Sequence, residues 1–199
     1  MKLTPRSIIL LAVHDFGGKV VGKTLLQKRL YFMAELLRPG AGELGLAYMP
    51  HYYGPYSPVV ASELGTLVVQ GLLQEQATPL GVANSLGFEM RRHIYKLTDD
   101  GKTGAKWLED NYPEDTRQIK DTAEKILQAE GNTEDYMSLS VAAKAHWILK
   151  RTKQPLTEQL IADEAHRFGW LVTGDQIRRG CDFLRRLGLF DPQSVQSAS

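Results

Sequence analysis

Apolar residues recur at helical spacing from the start of the chain. Ile8, Ile9, Ala12, Val13 and Phe16 predict a first helix over residues 5–16, with Pro5 in the first turn, where a missing N–H costs little. Gly17-Gly18 end it, and Lys19-Val20-Val21 read as a short extended link. Leu26, Leu30, Met33 and Leu37 form the stripe of a second helix, with Thr24 as its expected N-cap and Pro39-Gly40 as its stop. The aromatic-rich stretch from Leu46 to Tyr53 reads as a strand. Ser57-Pro58 then opens a third helix, with serine as N-cap and proline in the first turn. Val60, Leu64, Leu67 and Val68 line one face of that helix, and Gly71 stops it. Residues 72–76 and 88–97 read as paired strands, joined by a wing tip at 79–87.

Thr98 caps a fourth helix, and Asp99 and Asp100 complement its positive end. Pro113 starts a fifth, reaching about Ala129 on an apolar side of Ile119, Ala123, Ile126 and Leu127, with Gly131-Asn132 ending it. Residues 132–137 read as a linker. Three more helices follow at 139–150, 157–168 (N-cap Thr157) and 175–187, the last two joined by a turn between Gly169 and Gly174. The Ser/Gln-rich end is expected to be disordered. The pattern predicts a mainly α fold with a small β wing. Its parts are a winged helix-turn-helix domain over 1–110, an acidic connecting helix over 111–131, and a C-terminal helix-turn-helix-like helical domain over 132–199.

Composition narrows the class. Lys plus Arg is 24 and Asp plus Glu is 23, so no global charge argues for nucleic acid. Local charge is uneven: nine acids face three bases between Glu109 and Asp135, whereas nine bases face six acids from Ser138 onward. A lone cysteine, Cys181, excludes an internal disulfide and a multi-cysteine zinc site and fits a reducing cytoplasm. The apolar run Ser7–Val13 is too short to span a bilayer and is followed by no small-residue cleavage site. The expected location is the cytoplasm, with no membrane partner.

Two regions carry candidate chemistry. Tyr53-Gly54-Pro55-Tyr56-Ser57-Pro58 is a heavily restricted turn, and Tyr52, Tyr53 and Tyr56 could form an aromatic patch that grips a protein partner. The alternative is that these rings plug the core. In the last helix Arg178 and Arg185, and likewise Arg179 and Arg186, are seven residues apart, opposite an Ile177, Cys181, Leu184 stripe. That makes a basic ridge where a helix-turn-helix would contact DNA, and the wing bases Arg91, Arg92 and Lys96 could add phosphate contacts. The alternative is a solvated face, or a face docked on the acidic helix of 114–130. The third helix, the usual reader in a winged helix, has no Lys or Arg between Ser57 and Gly71.

The five histidines show no metal-ligand spacing, so no metal and no cofactor is expected, and Cys181 sits on a core stripe. Gly17-x-x-x-x-Gly22-Lys23-Thr24 matches a phosphate-loop string, but it follows an amphipathic helix rather than a parallel strand. The string is therefore expected to be inert and the protein not to be an enzyme.

Lys23-x-x-Leu26-Gln27-Lys28-x-x-Tyr31-Phe32, then Tyr53-Gly54-Pro55-Tyr56-Ser57-Pro58, Glu63-Leu64 and Gly71-Leu72-Leu73 resemble the bacterial YwgA-like family. They are more distantly similar to the Panacea domain of toxin–antitoxin antitoxins. The resemblance covers roughly residues 5–110 and implies an intracellular winged-helix-like protein; for Panacea proteins it implies neutralising a toxin by contact. The sequence thus supports a non-enzymatic binding protein in either of two forms. One is a DNA-binding transcriptional regulator using the arginine ridge. The other is an antitoxin-like interaction module using the tyrosine-rich turn. A homodimer is left open, and a nucleotide-binding enzyme stands third.

Overall fold

A computed structural model of the protein describes residues 3–37, 43–83, 89–131, 136–151, 158–170 and 172–190. Among them are eight helices and three strands, in the order α1 (Pro5–Asp15), β1 (Lys19–Val21), α2 (Lys23–Leu36), α3 (Pro58–Val69), β2 (Leu73–Ala83), β3 (Glu89–Leu97), α4 (Asp99–Asn111), α5 (Pro113–Glu130), α6 (Tyr136–Arg151), α7 (Glu158–Arg167) and α8 (Gly174–Arg186). The fold is mainly helical, with one small antiparallel sheet ordered β1-β3-β2. The register pairs Val20 with Tyr95 and Leu73 with Leu97. No described helix is long and apolar enough to cross a membrane.

Local chemistry sets most element ends. Thr4 caps α1 by accepting from Ser7 N at 3.2 Å, Ser57 caps α3 through Val60 N at 3.2 Å, and Thr98 caps α4 through Gly101 N at 3.0 Å. Gly131 ends α5 in the left-handed region. Thr173 and Gln176 form a reciprocal capping box at the start of α8.

Three local expectations are corrected. Thr24 does not cap α2: Gly22, at φ +106°, turns the chain and donates to His93 O at 2.7 Å, which starts the helix at Lys23 and leaves Thr24 inside it. Residues 46–53 are not a strand. Only Met49 pairs, with Tyr56: on one side the chain reverses at once, where Gly54 N donates to His51 O, and on the other Ser57-Pro58 already opens α3, so no longer ladder can form. Third, β2 runs through the expected wing tip as far as Ala83, with an irregular register between Pro79 and Ala83. The sheet order puts β2 at an edge, where a proline needs no donor on its open side. Pro39-Gly40, the rest of the wing tip (84–87) with Phe88 of the expected second strand, most of the linker (132–135), Thr157 and the tail (191–199) lie outside the described residues.

One core cluster runs from Leu3 to Leu184. Helix α2 sits at its centre, packed on β1, α5 and α6. Every residue from Leu25 to Ala34 is buried, so the sequence stripe is only one of several buried faces. Tyr31 and Phe32 of α2 pack edge-on with Tyr48, His146 and Phe183, joining both halves of the chain. The Tyr31 hydroxyl and His146 Nδ1 are hydrogen-bonded at 2.9 Å. Burial, and secondarily the Lys150 charge, push His146 down to about 4, so the ring is neutral.

Candidate functional site

The turn at 51–56 is held from three directions. From α2, Gln27 makes two hydrogen bonds to the Ser57 backbone, donating to its O at 2.9 Å and accepting from its N at 3.0 Å. Its neighbour Lys28, 2% exposed, donates to Pro55 O at 2.5 Å. From the segment after α7, the Trp170 indole N–H donates to His51 O at 2.6 Å. From α6, Lys144 lies with its Nζ 5.2 Å from the centre of the Trp170 ring and its aliphatic stem against Gly54. Gly54 itself has φ +88° and donates to His51 O at 2.8 Å. A Cβ at Gly54 would stand 3.0 Å from Lys144 Cγ and 3.3 Å from Ser140 O. Glycine is therefore required twice, by conformation and by space.

Two lysines thus lie buried behind one turn. Burial, and then the Lys144 charge, push Lys28 down to about 7; burial also lowers Lys144. The arrangement rigidifies the turn and carries the tyrosines outward unequally. Tyr52 is 63% exposed and Tyr53 40%, packed edge-on at 5.0 Å, whereas Tyr56 is half-buried and stacks obliquely on His51. The sequence named the three tyrosines. It gave no role to Gln27 and Lys28, whose signal is a polar triplet, Gln27-Lys28-Arg29, inside an apolar helix.

Arg29, the third member, forms a buried bidentate pair with Glu130 of α5 at 2.9 and 2.6 Å, and its guanidinium lies 5.0 Å from the Phe16 ring centre.

The arginine ridge is present on α8. Arg178, Arg179, Arg185 and Arg186 are all exposed, opposite buried Ile177, Cys181 and Leu184. Acids are interleaved with them: Arg178 and Arg179 pair with Asp175, and Arg185 with Asp182, all within the helix. The ridge flanks a hollow of about 380 Å³ lined by Glu130, Ser138, Asp182 and Phe183 besides Arg179 and Arg186. Gly180 lets α8 approach α6 closely: a Cβ there would stand 3.1 Å from Ala142 N. Arg91 and Arg92 lie on β3 opposite Pro79 and Thr78, with Arg92 exposed. The sheet packs on α1, α2, α3 and α4, and α8 on α5, α6 and α7.

No protein-family model and no curated protein matches this chain.

The glycine-lysine-threonine string contains the strand β1, and its glycine amides are engaged: Gly17 N donates to His14 O, Gly18 N to Val13 O and Gly22 N to His93 O, at 2.7–3.1 Å. Three ligand-type side chains, His14, Asp15 and Glu109, come within 4.8 Å of one another at the α1–α4 contact. His14 Nδ1 already bonds Asp15 Oδ1 at 2.9 Å, and burial raises the Asp15 carboxyl.

Proposed function

We propose that this chain is a non-catalytic binding protein with a winged-helix N-terminal half that grips a protein partner through the tyrosine-bearing turn. The observation that carries the reading is the exposed Tyr52–Tyr53 pair on a turn anchored from α2, α6 and Trp170. Rigid aromatic rings lose little entropy on contact and are typical anchors of protein interfaces. The winged-helix part is supported by the element order α1-β1-α2-α3-β2-β3 and the sheet order β1-β3-β2. In that layout α3 is the usual DNA reader, yet it has no cation, and its one acid, Glu63, is bonded by Arg6 at 2.6 Å. The resemblance to Panacea antitoxins, which act by protein contact, points the same way. The buried lone thiol of Cys181 fits a reducing cytoplasm.

The test is in-cell photocrosslinking, with a photoreactive phenylalanine placed at Tyr52 or at exposed Trp107 on α4. A discrete adduct is expected from position 52, absent from position 107 and lost when Tyr53→Ala is added. Adducts indifferent to position would reject the reading.

A second reading, contact with duplex DNA by α8, is favoured by four exposed arginines on one helix. Their ion pairs are solvated and worth about 0.3–0.5 kcal/mol each, too weak to withhold them from phosphates. If the ridge binds DNA, affinity falls steeply with salt, and Arg178→Ala with Arg185→Ala flattens the log–log slope by about one per lost contact. No binding at low salt removes this reading.

A further inference from the structure

Between α2, α3 and the sheet lies a cavity of about 170 Å³. Leu26, Val60 and Leu64 give it an apolar floor, Gln27, Tyr56 and Tyr95 also line it, and its rim carries one cation, Lys23, and one anion, Glu75. Their charged atoms are 3.5 Å apart, and both side chains are partly in solvent. Such a pair is weak and easily exchanged for ligand contacts.

Glu75 is a positioned group. The Tyr95 hydroxyl donates to its Oε1 at 2.8 Å, and His93 Nδ1 bonds the same oxygen at 2.6 Å. Lys23 also approaches Oε1, so all three contacts fall on one oxygen and leave Oε2 for another donor. Desolvation would raise this carboxyl, but the Tyr95 and His93 hydrogen bonds and the Lys23 and His93 charges outweigh it and hold it below the ordinary range.

A cavity of about 150 Å³ with apolar walls takes a benzene ring. The space here therefore suits one isobutyl or benzyl group. A ligand that places such a group on the floor while meeting both rim charges needs an ammonium and a carboxylate on the carbon that bears it. We propose that this cavity binds a free α-amino acid with an apolar side chain, its carboxylate on Lys23, its ammonium on Glu75 Oε2 and its side chain against Leu26, Val60 and Leu64. The proposal uses neither Tyr52 nor Tyr53, although Tyr56 of the turn and its anchor Gln27 also line the cavity, and its titration is read without the protein partner.

The test is calorimetric titration of the full chain with L-leucine and L-phenylalanine, beside leucinamide and N-acetyl-leucine, which each lack one charge. Saturable binding of at least one free amino acid is expected, with each blocked form weaker by about tenfold or more, as for a lost charged hydrogen bond. Lys23→Ala should make leucine and leucinamide bind alike, and Glu75→Gln should do the same for leucine and N-acetyl-leucine. Gly65→Leu is the blocking variant. Gly65 lies in α3 at the cavity wall, and a Cβ there meets nothing within 4 Å. Its side chain should fill the space and abolish binding without lowering the melting temperature, since leucine favours the helix over glycine. No saturable binding of either amino acid, or binding that survives Gly65→Leu, overturns the proposal. Blocked forms that bind the wild type as tightly as leucine overturn it too, and would point to a peptide terminus instead.

Discussion

Replacing Gly54 by alanine tests the anchoring of the turn directly. The residue has φ +88°, where an L side chain costs about 1–2 kcal/mol. The new methyl would also stand 3.0 Å from Lys144 Cγ and 3.3 Å from Ser140 O. Ser140 O belongs to the α6 backbone, and Lys144 is buried over Trp170, so neither neighbour yields freely. Overpacking of this kind adds roughly 1–3 kcal/mol. A total near 3 kcal/mol lowers the melting temperature by roughly 6–12 °C in a chain of this size. Gly71 is the control: it has φ +73° and nothing within 4 Å of an added Cβ. Gly71→Ala carries the conformational term alone, about 1–2 kcal/mol or roughly 2–8 °C. Calorimetric melts of the three proteins decide the matter. Equal losses at the two glycines would show that Gly54 does not touch α6, and the clamp would fail with it.

Lys28, pushed down to about 7 by burial and then by Lys144, gives stability a pH slope. Between about pH 7 and 10.5 the unfolded lysine holds a proton that the folded one lacks, so stability rises with pH by up to ~1.4 kcal/mol per unit. Urea melts between about pH 7.5 and 9.5 should show this slope, and Lys28→Met should flatten it; a flat wild type would refute a buried amine. Arg29→Met should destabilise by about 3–5 kcal/mol by stranding Glu130, and adding Glu130→Leu should recover most of that loss in the same melts. Gly180→Val should cost about 1–3 kcal/mol by pushing α8 off Ala142, whereas Gly188→Ala, with open space around it, should lose only the left-handed backbone term.

Elements whose ends rest on one or two neighbouring residues were legible. Ser57-Pro58 placed the start of α3, Thr98 that of α4, and Gly131 the end of α5. What escaped depends on partners far along the chain. The periodicity of α2 shows one apolar stripe, but Gln27, Lys28 and Arg29 are buried as well, because Ser57, Pro55 and Glu130 meet them from 30, 27 and 101 residues away. The strand expected at 46–53 is absent because the chain beyond Tyr56 enters α3 at once and leaves only Met49 a pairing partner, a constraint that aromatic content does not show. The turn tyrosines could be named, but not that Tyr56 would be drawn half inside while Tyr52 and Tyr53 face out. The arginine ridge was legible as spacing, and the interleaved Asp175 and Asp182 were visible too, though the spacing of the basic residues hid how well the acids pair with them. The cavity had no local signal: Lys23, Glu75 and Tyr95 come from three separate elements.

The burial of α2 on all sides also has a consequence for how the chain is made. Ribosomes add about 5–20 residues per second. Arg29 therefore waits roughly 5–20 s for Glu130, which follows it by 101 positions, and Tyr31 waits longer for His146. During that interval the central helix has been synthesised but its covering helices have not. The first half of the nascent chain exposes a partly apolar, partly cationic surface until α6 has cleared the exit tunnel. The central helix of this fold is therefore finished well before the helices that cover it, and its burial is necessarily a late event on the ribosome.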